Sequence, residues 1–117
     1  MSELRWGLIG ASDIAATRMI PAMRRLGHEV VAVGGSNPEW TATFAERNGI
    51  PASGTVEELI ARDDVDAVYI SSKNDSHRDQ TVRAAAAGKH VLCEKPLALS
   101  VADGRAMVDA CEAARTV

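Results

Sequence analysis

Aromatic residues are nearly missing. Two tryptophans, one tyrosine and one phenylalanine are spread over 117 residues, so Ala, Val, Leu and Ile must fill any core. Cysteine is scarce as well: Cys93 and Cys111 are too few for a disulfide framework and have no metal-ligand spacing. Reduced thiols and no metal are the expectation. No apolar run approaches the ~18 residues that span a bilayer, and no basic-then-apolar segment opens the chain. A cytoplasmic location with no membrane partner is therefore expected. Positive charge is not in excess. The 13 Lys and Arg against 16 Asp and Glu leave a net charge of −3, which argues against nucleic acid as a partner. Internal repeats and linker-like stretches are also absent.

The residues that are present alternate between strand-like and helix-like runs. Apolar content of 46% and charged content of 25% suit a soluble globular domain, and the length predicts one, spanning 1–117. Leu4–Ile9 reads as a strand. Asp13–Leu26 reads as a helix kinked at Pro21 and stopped by Gly27. Val30–Val33 is an apolar strand, and Pro38–Asn48 a helix ended by Gly49. Ile50–Ala52 is a short extended piece that Pro51 confines to an edge. Thr55 and Glu58 have capping-box spacing and open a brief helix to Ala61. Ala67–Ile70 is a buried strand, after which Asp75 or Ser76 caps a helix to Ala87. Lys89 and His90 read as solvent-facing residues leading into Val91–Cys93, a fifth buried strand. Ser100 and Asp103 start a last helix by a similar box. This order predicts an α/β fold: a Rossmann-type, doubly wound parallel sheet with helices on both faces. Ligands of such sheets bind beyond the carboxyl ends of the strands.

The chemistry-bearing residues fall at those ends. A dinucleotide turn wants three glycines after the first strand; the positions hold Gly10, Ser12 and Ala15. Gly10 permits the tight turn and Ala15 close helix packing. Ser12 is the departure, its hydroxyl a substitute donor to a phosphate oxygen. The first helical turn, with Asp13 and Ile14, offers free N–H groups and a partial positive charge. An ordinary strand–helix turn explains the same residues. After the second strand, an acid would grip a ribose 2′-hydroxyl and repel a 2′-phosphate. Here Gly35, Ser36 and Asn37 are small and neutral, so NADP is favoured over NAD, with NAD still open. Trp40 is either an adenine neighbour or a half-buried helix residue.

Ser71, Ser72 and Asn74 follow the fourth strand, where they can hydrogen-bond ribose or cap the next helix. His77 is a candidate catalytic or cofactor-contacting residue, with a structural role as the alternative. Asp75 and Asp79 read as cap and dipole partners. Glu94-Lys95-Pro96 directly follows an apolar strand, where charge is costly unless paired or used. Lys95 is the candidate proton donor or acceptor at a substrate oxygen, with Pro96 holding its backbone extended. A surface Lys–Glu pair is the alternative.

The run Val65–Ile70, the Asn74 and His77 pair, and the run Ala87–Ala98 carry a family likeness. Over its whole length the chain resembles the N-terminal domain of the glucose–fructose oxidoreductase / inositol dehydrogenase (Gfo/Idh/MocA) family. The resemblance implies NAD(P)-dependent hydride transfer on a sugar, cyclitol or related carbonyl compound. It implies a role for Lys95 at the substrate oxygen and cofactor roles for Gly10, Ser12, Ser36, Asn74 and Glu94. Two departures are visible. Lys73 replaces a proline common in the family, which leaves that loop free to sit differently. Trp40 stands where NADP-preferring relatives carry arginine. The family continues into a last strand and a larger α+β domain that supplies most of the sugar pocket and the oligomer interface. The expectation is thus a domain truncated before its substrate domain, inactive alone, with an open sheet edge that invites a homo-oligomer. The alternative function is a non-catalytic NAD(P)-binding regulatory module.

Overall fold

The short apolar runs form five parallel strands with helical crossovers between them. The computed structural model describes residues 3–117. Strand β1 (Arg5–Ile9) pairs with β2 (Glu29–Gly34) on one side and β4 (Ala67–Ile70) on the other. β3 (Ala52–Gly54) lies outside β2, and β5 (His90–Cys93) outside β4. The strand order is therefore β3-β2-β1-β4-β5, with the switch point between β1 and β4 at the centre.

Side chains alternate across a strand, and the core divides accordingly. Leu8, Val33 and Tyr69 pack with Ile20, Met23 and Phe44 beneath α1 (Ile20–Arg25) and α2 (Pro38–Arg47). Ile9, Ala32, Val68 and Ile70 pack with Leu59, Ile60 and Ala84 beneath α3 (Val56–Ile60) and α4 (His77–Ala86). The last helix, α5 (Val101–Ala114), lies beside α4.

The expected kink at Pro21 takes a specific form. Ala15–Met19 widens into a π turn, and the Ile20 amide donates to the Ala15 carbonyl five residues back. Proline has no amide hydrogen and its ring collides with the carbonyl four residues back; the wider turn before it removes that conflict. The third strand begins later than expected, at Ala52 rather than Ile50, so that Pro51 falls outside the ladder while the strand keeps its edge position.

Three expectations are corrected. The fifth strand is not buried. It is the outer strand, Leu92 is 44% exposed, and of its amides Val91 donates to Val117 at 2.9 Å. Lys89 is not solvent-facing: it is buried, and its Nζ donates to the carbonyls of Arg62 and Val65 at 2.5 and 2.8 Å. A buried ammonium is tolerable because carbonyl oxygens replace its water. Neither Asp75 nor Ser76 caps α4 with its side chain; a 3-10 turn over Asn74–Ser76 leads in instead. The capping box of Thr55 and Glu58 is formed in both directions, at 3.1 and 2.9 Å, while Ser100 caps α5 by accepting from the Asp103 amide.

Candidate cofactor site

The turn after β1 is shaped by Gly10. Its φ is +107°, and a Cβ there would lie 2.9 Å from the Ser72 nitrogen and 3.0 Å from the Ser71 carbonyl carbon. Only glycine fits a left-handed position so close to another backbone. Ser12 crosses the same gap. Its Oγ lies 2.6 Å from Ser71 Oγ and accepts from the Ala15 amide at 3.2 Å. The hydroxyl expected to face a phosphate is thus tied into the joint between the β1 and β4 ends. Asp13 and Ile14 follow, both exposed, at the opening of the helical segment.

The end of β2 forms the neighbouring wall. A Cβ on Gly35 would lie 2.5 Å from Thr41 Oγ1, which is itself bonded to the Asn37 carbonyl at 2.7 Å. A side chain at Gly35 itself would therefore collide with Thr41, while Ser36 next to it is open. Asn37 caps α2, its Oδ1 accepting from the Trp40 amide at 3.0 Å, which leaves its NH2 and the exposed Ser36 hydroxyl as donors. Trp40 reaches back across the turn: its Nε1 donates to the Ala11 carbonyl at 2.9 Å. Its ring stands edge-on to Phe44 with the Arg47 guanidinium 5.6 Å from its centre. Gly10, Ser12, Gly35, Ser36, Asn37, Ser71 and Ser72 line one cleft of about 560 Å³. A second cavity of about 650 Å³ shares Gly35, Ser36 and Thr41 with it and extends toward the α3 N-terminus.

The β4 and β5 ends carry the remaining candidates. Lys73 adopts φ −61°, ψ 144°, the backbone a proline would take, so its substitution does not reshape the loop. Asn74 is exposed in the 3-10 turn. His77, a catalytic or cofactor-contacting candidate with a structural alternative, is buried. Its Nδ1 lies 2.9 Å from the Pro96 carbonyl and its Nε2 3.1 Å from the Ser72 carbonyl. Both ring nitrogens lie against backbone carbonyl oxygens, and an N–H the ring carries donates to one of these. The ring joins the two loops that carry the site.

Glu94 accepts the Tyr69 hydroxyl at 2.5 Å and the Lys95 amide at 3.2 Å. These bonds hold its carboxyl below the usual range, the Tyr69 hydroxyl contributing most. Burial, with Glu94 nearby, raises the Tyr69 phenol and pushes the Cys93 thiol to about 11. Lys95 is exposed, and among the described residues its ammonium has no hydrogen bond or ion pair. Tyr69 is the residue that sequence reasoning missed. The signal was a lone phenol inside an aliphatic buried strand, which must find a partner. Among the described residues no cluster of metal-ligating side chains occurs, and no helix is long and apolar enough to cross a membrane.

A parallel sheet in this order, with a glycine turn and a helix start beside the switch point, is a dinucleotide-binding Rossmann domain. The chain belongs to the Gfo/Idh/MocA oxidoreductase family: the model of its NAD-binding Rossmann fold matches residues 4–117. The chain is 54% identical over 114 residues to 1,5-anhydro-D-fructose reductase of Ensifer adhaerens, covering 97% of itself and 34% of that protein. It is 39% identical to D-xylose 1-dehydrogenase (NADP(+)) 2 of Haloferax volcanii, over 93% of itself and 34% of the relative. The chain thus spans about a third of the length of these relatives. Among solved structures it is similar to KijD10, a 3-ketoreductase from Actinomadura kijaniata in complex with TDP-benzene and NADP. That match has a TM-score of 0.91 at 33% identity, over 99% of this chain and 37% of the other. The WlbA dehydrogenase from Bordetella pertussis, in complex with NADH and UDP-GlcNAcA, aligns with a TM-score of 0.90 at 30% identity, over 99% and 35% of the two chains.

Proposed function

We propose that this chain is the nucleotide-binding part of an NAD(P)-dependent oxidoreductase. Its substrate is a sugar, cyclitol or related carbonyl compound, and Lys95 is the proton donor or acceptor at the substrate oxygen. The observation that carries the reading is convergence. The Gly10 turn, the neutral β2 end and the Glu94-Lys95 corner all lie at the carboxyl edge of one parallel sheet. The site fits a dinucleotide: a Cβ-free turn at Gly10, an open cleft lined by serine hydroxyls, and a helical segment that starts directly after the turn. When bound, the nicotinamide supplies the hydride. Gly10 and the backbone of Ser12, Asp13 and Ile14 would form the diphosphate cradle. Ser36 and the Asn37 amide would offer donors to the adenosine 2′ position. Ser71, Ser72 and Asn74 would offer hydrogen bonds to ribose, and Glu94 would lie around the cofactor. His77 serves by holding the loops, and Lys95 extends free beyond Glu94 to exchange a proton at the carbonyl oxygen.

NADP is the preferred cofactor in this reading. The strand end carries no acid: Gly35 is crowded by Thr41, and Ser36 offers a neutral donor. The test is calorimetric titration of the chain with NADPH and with NADH. Binding of NADPH at least about tenfold tighter is expected, an energy difference of about 1.4 kcal/mol. Ser36→Asp should reverse that order by repelling a 2′-phosphate and accepting from a 2′-hydroxyl. A folded chain that binds neither dinucleotide would sink the reading.

A further inference from the structure

Tyr69 is the one tyrosine of the chain, and it is 1% exposed. The proposed hydride chemistry does not use it. Register explains where its hydroxyl goes. Tyr69 is paired with Leu92 across β4 and β5. Two residues on, Glu94 returns to the same face of the sheet, diagonal to Tyr69 and within reach of its ring. The Glu94 carboxylate is therefore turned back over β4. Oε2 accepts the phenol at 2.5 Å, and Oε1 accepts the Lys95 amide at 3.2 Å. The Glu94 amide donates to the Ile70 carbonyl at 2.9 Å, which ties the same residue to β4 by its backbone. Any acceptor would satisfy a buried phenol; this one sits on the corner that carries the candidate proton donor.

We propose that Tyr69 is a positioning residue: its buried hydroxyl fixes the Glu94 carboxylate and, through it, the backbone of Lys95 at the cofactor end of the sheet. The proposal rests on the dinucleotide reading above. His77 holds the other side of the same corner through the Pro96 carbonyl. Lys95 is thus anchored before and after its Cα while its ammonium stays free.

Tyr69→Phe removes only the hydroxyl and keeps the buried ring. NADPH affinity is measured by titration for the unmodified chain, Tyr69→Phe, Glu94→Gln and the double variant. Tyr69→Phe is expected to weaken binding about tenfold, the scale of one hydrogen bond to a charged group. In the Glu94→Gln background it should change little, because its effect passes through that carboxylate. A general packing defect would add in full. The Glu94 carboxyl titration, followed by carbon-13 NMR, should move upward in Tyr69→Phe. The groups facing it are Tyr69 from β4, Cys93 and Lys95 from the β5 end, and His77 from α4. Should the phenylalanine variant not fold, 3-fluorotyrosine in place of the single tyrosine gives one fluorine resonance. That resonance must move with Glu94→Gln and with NADPH. Unchanged affinity in Tyr69→Phe, full additivity in the cycle, or an unmoved resonance overturns the proposal. An unmodified chain that binds no dinucleotide overturns the function first, and this inference with it.

Discussion

Gly10 and Gly35 show how much of the site depends on atoms that are not there. A side chain on Gly10 would meet the Ser71–Ser72 backbone, and its φ of +107° disfavours any L-residue. Gly10→Ala is expected to lower stability by about 1–3 kcal/mol and to abolish NADPH binding, read by urea denaturation and by titration. A fully stable, binding variant would show that the turn tolerates a shift. Gly35 was read in sequence simply as small and neutral. The structure adds that Thr41 leaves no room there for an acid. For Ser12 and His77 the sequence leaves both a contact role and a structural one open. Their partners are Ser71 and Ala15 for Ser12, and the Ser72, Pro96 and Leu97 carbonyls for His77. Those partners are 59 residues from Ser12 and 19 from His77 in the case of Ser71 and Pro96, distances at which sequence pattern carries no signal.

Among the elements, α3 shows a local signal that translated directly. Thr55 and Glu58 cap each other across three residues, and nothing distant is needed to form the box. The helix has five residues, too short to persist by propensity, so its cap matters. Thr55→Ala is expected to cost about 1 kcal/mol, seen as a lowered Tm in thermal unfolding. An unchanged Tm would mean that packing of Leu59 and Ile60 alone holds the helix. Of the box expected at Ser100 and Asp103 only the Ser100 half forms, the Asp103 carboxylate accepting from Arg78 instead. The start of α4 was not legible: a 3-10 turn took the place of a side-chain cap because the segment is pinned by His77 to two loops. The character of β5 was only partly legible: an open sheet edge was expected from the family likeness, but not the exposure of the strand's own side chains. Val91–Cys93 reads as apolar whether a strand lies beyond it or not, and strand order is a property of the whole sheet.

On the scale of the whole molecule, charge pairs join the sheet's lower edge. Arg5 of β1 forms a two-point bond with Asp66, just before β4, at 3.1 and 2.9 Å. This holds the Asp66 carboxyl at about 2, against an ordinary 3.8, with the Arg5 side-chain bond the largest cause. Arg62 likewise lowers Asp64, and the Thr55 cap lowers Glu58. A depressed carboxyl contributes stability that is present above its unfolded value and lost as pH falls through its folded one. Stability should therefore be steady near neutrality and fall between about pH 4 and pH 2. Asp66→Asn should be less stable at pH 7 and lose less over that window, measured by urea denaturation at several pH values. Parallel pH curves for the two proteins would exclude Asp66 as a contributor. These pairs are partly exposed, so salt should weaken them.

The sequence by itself determined the alternation of strands and helices, the parallel sheet, the glycine turn, the α2 and α3 starts and the Glu94-Lys95 corner. Each is encoded within a few residues: hydrophobic period, cap spacing, the absence of a Cβ. Tertiary structure alone decided that β5 is an outer strand, that Lys89 lies inside on carbonyl oxygens, that His77 faces two backbones rather than the cleft, and that Tyr69 holds Glu94. Each of these depends on which strand lies beside which and in what register. That is settled only when the crossovers close and every buried polar group must find a partner among the atoms the fold brings to it.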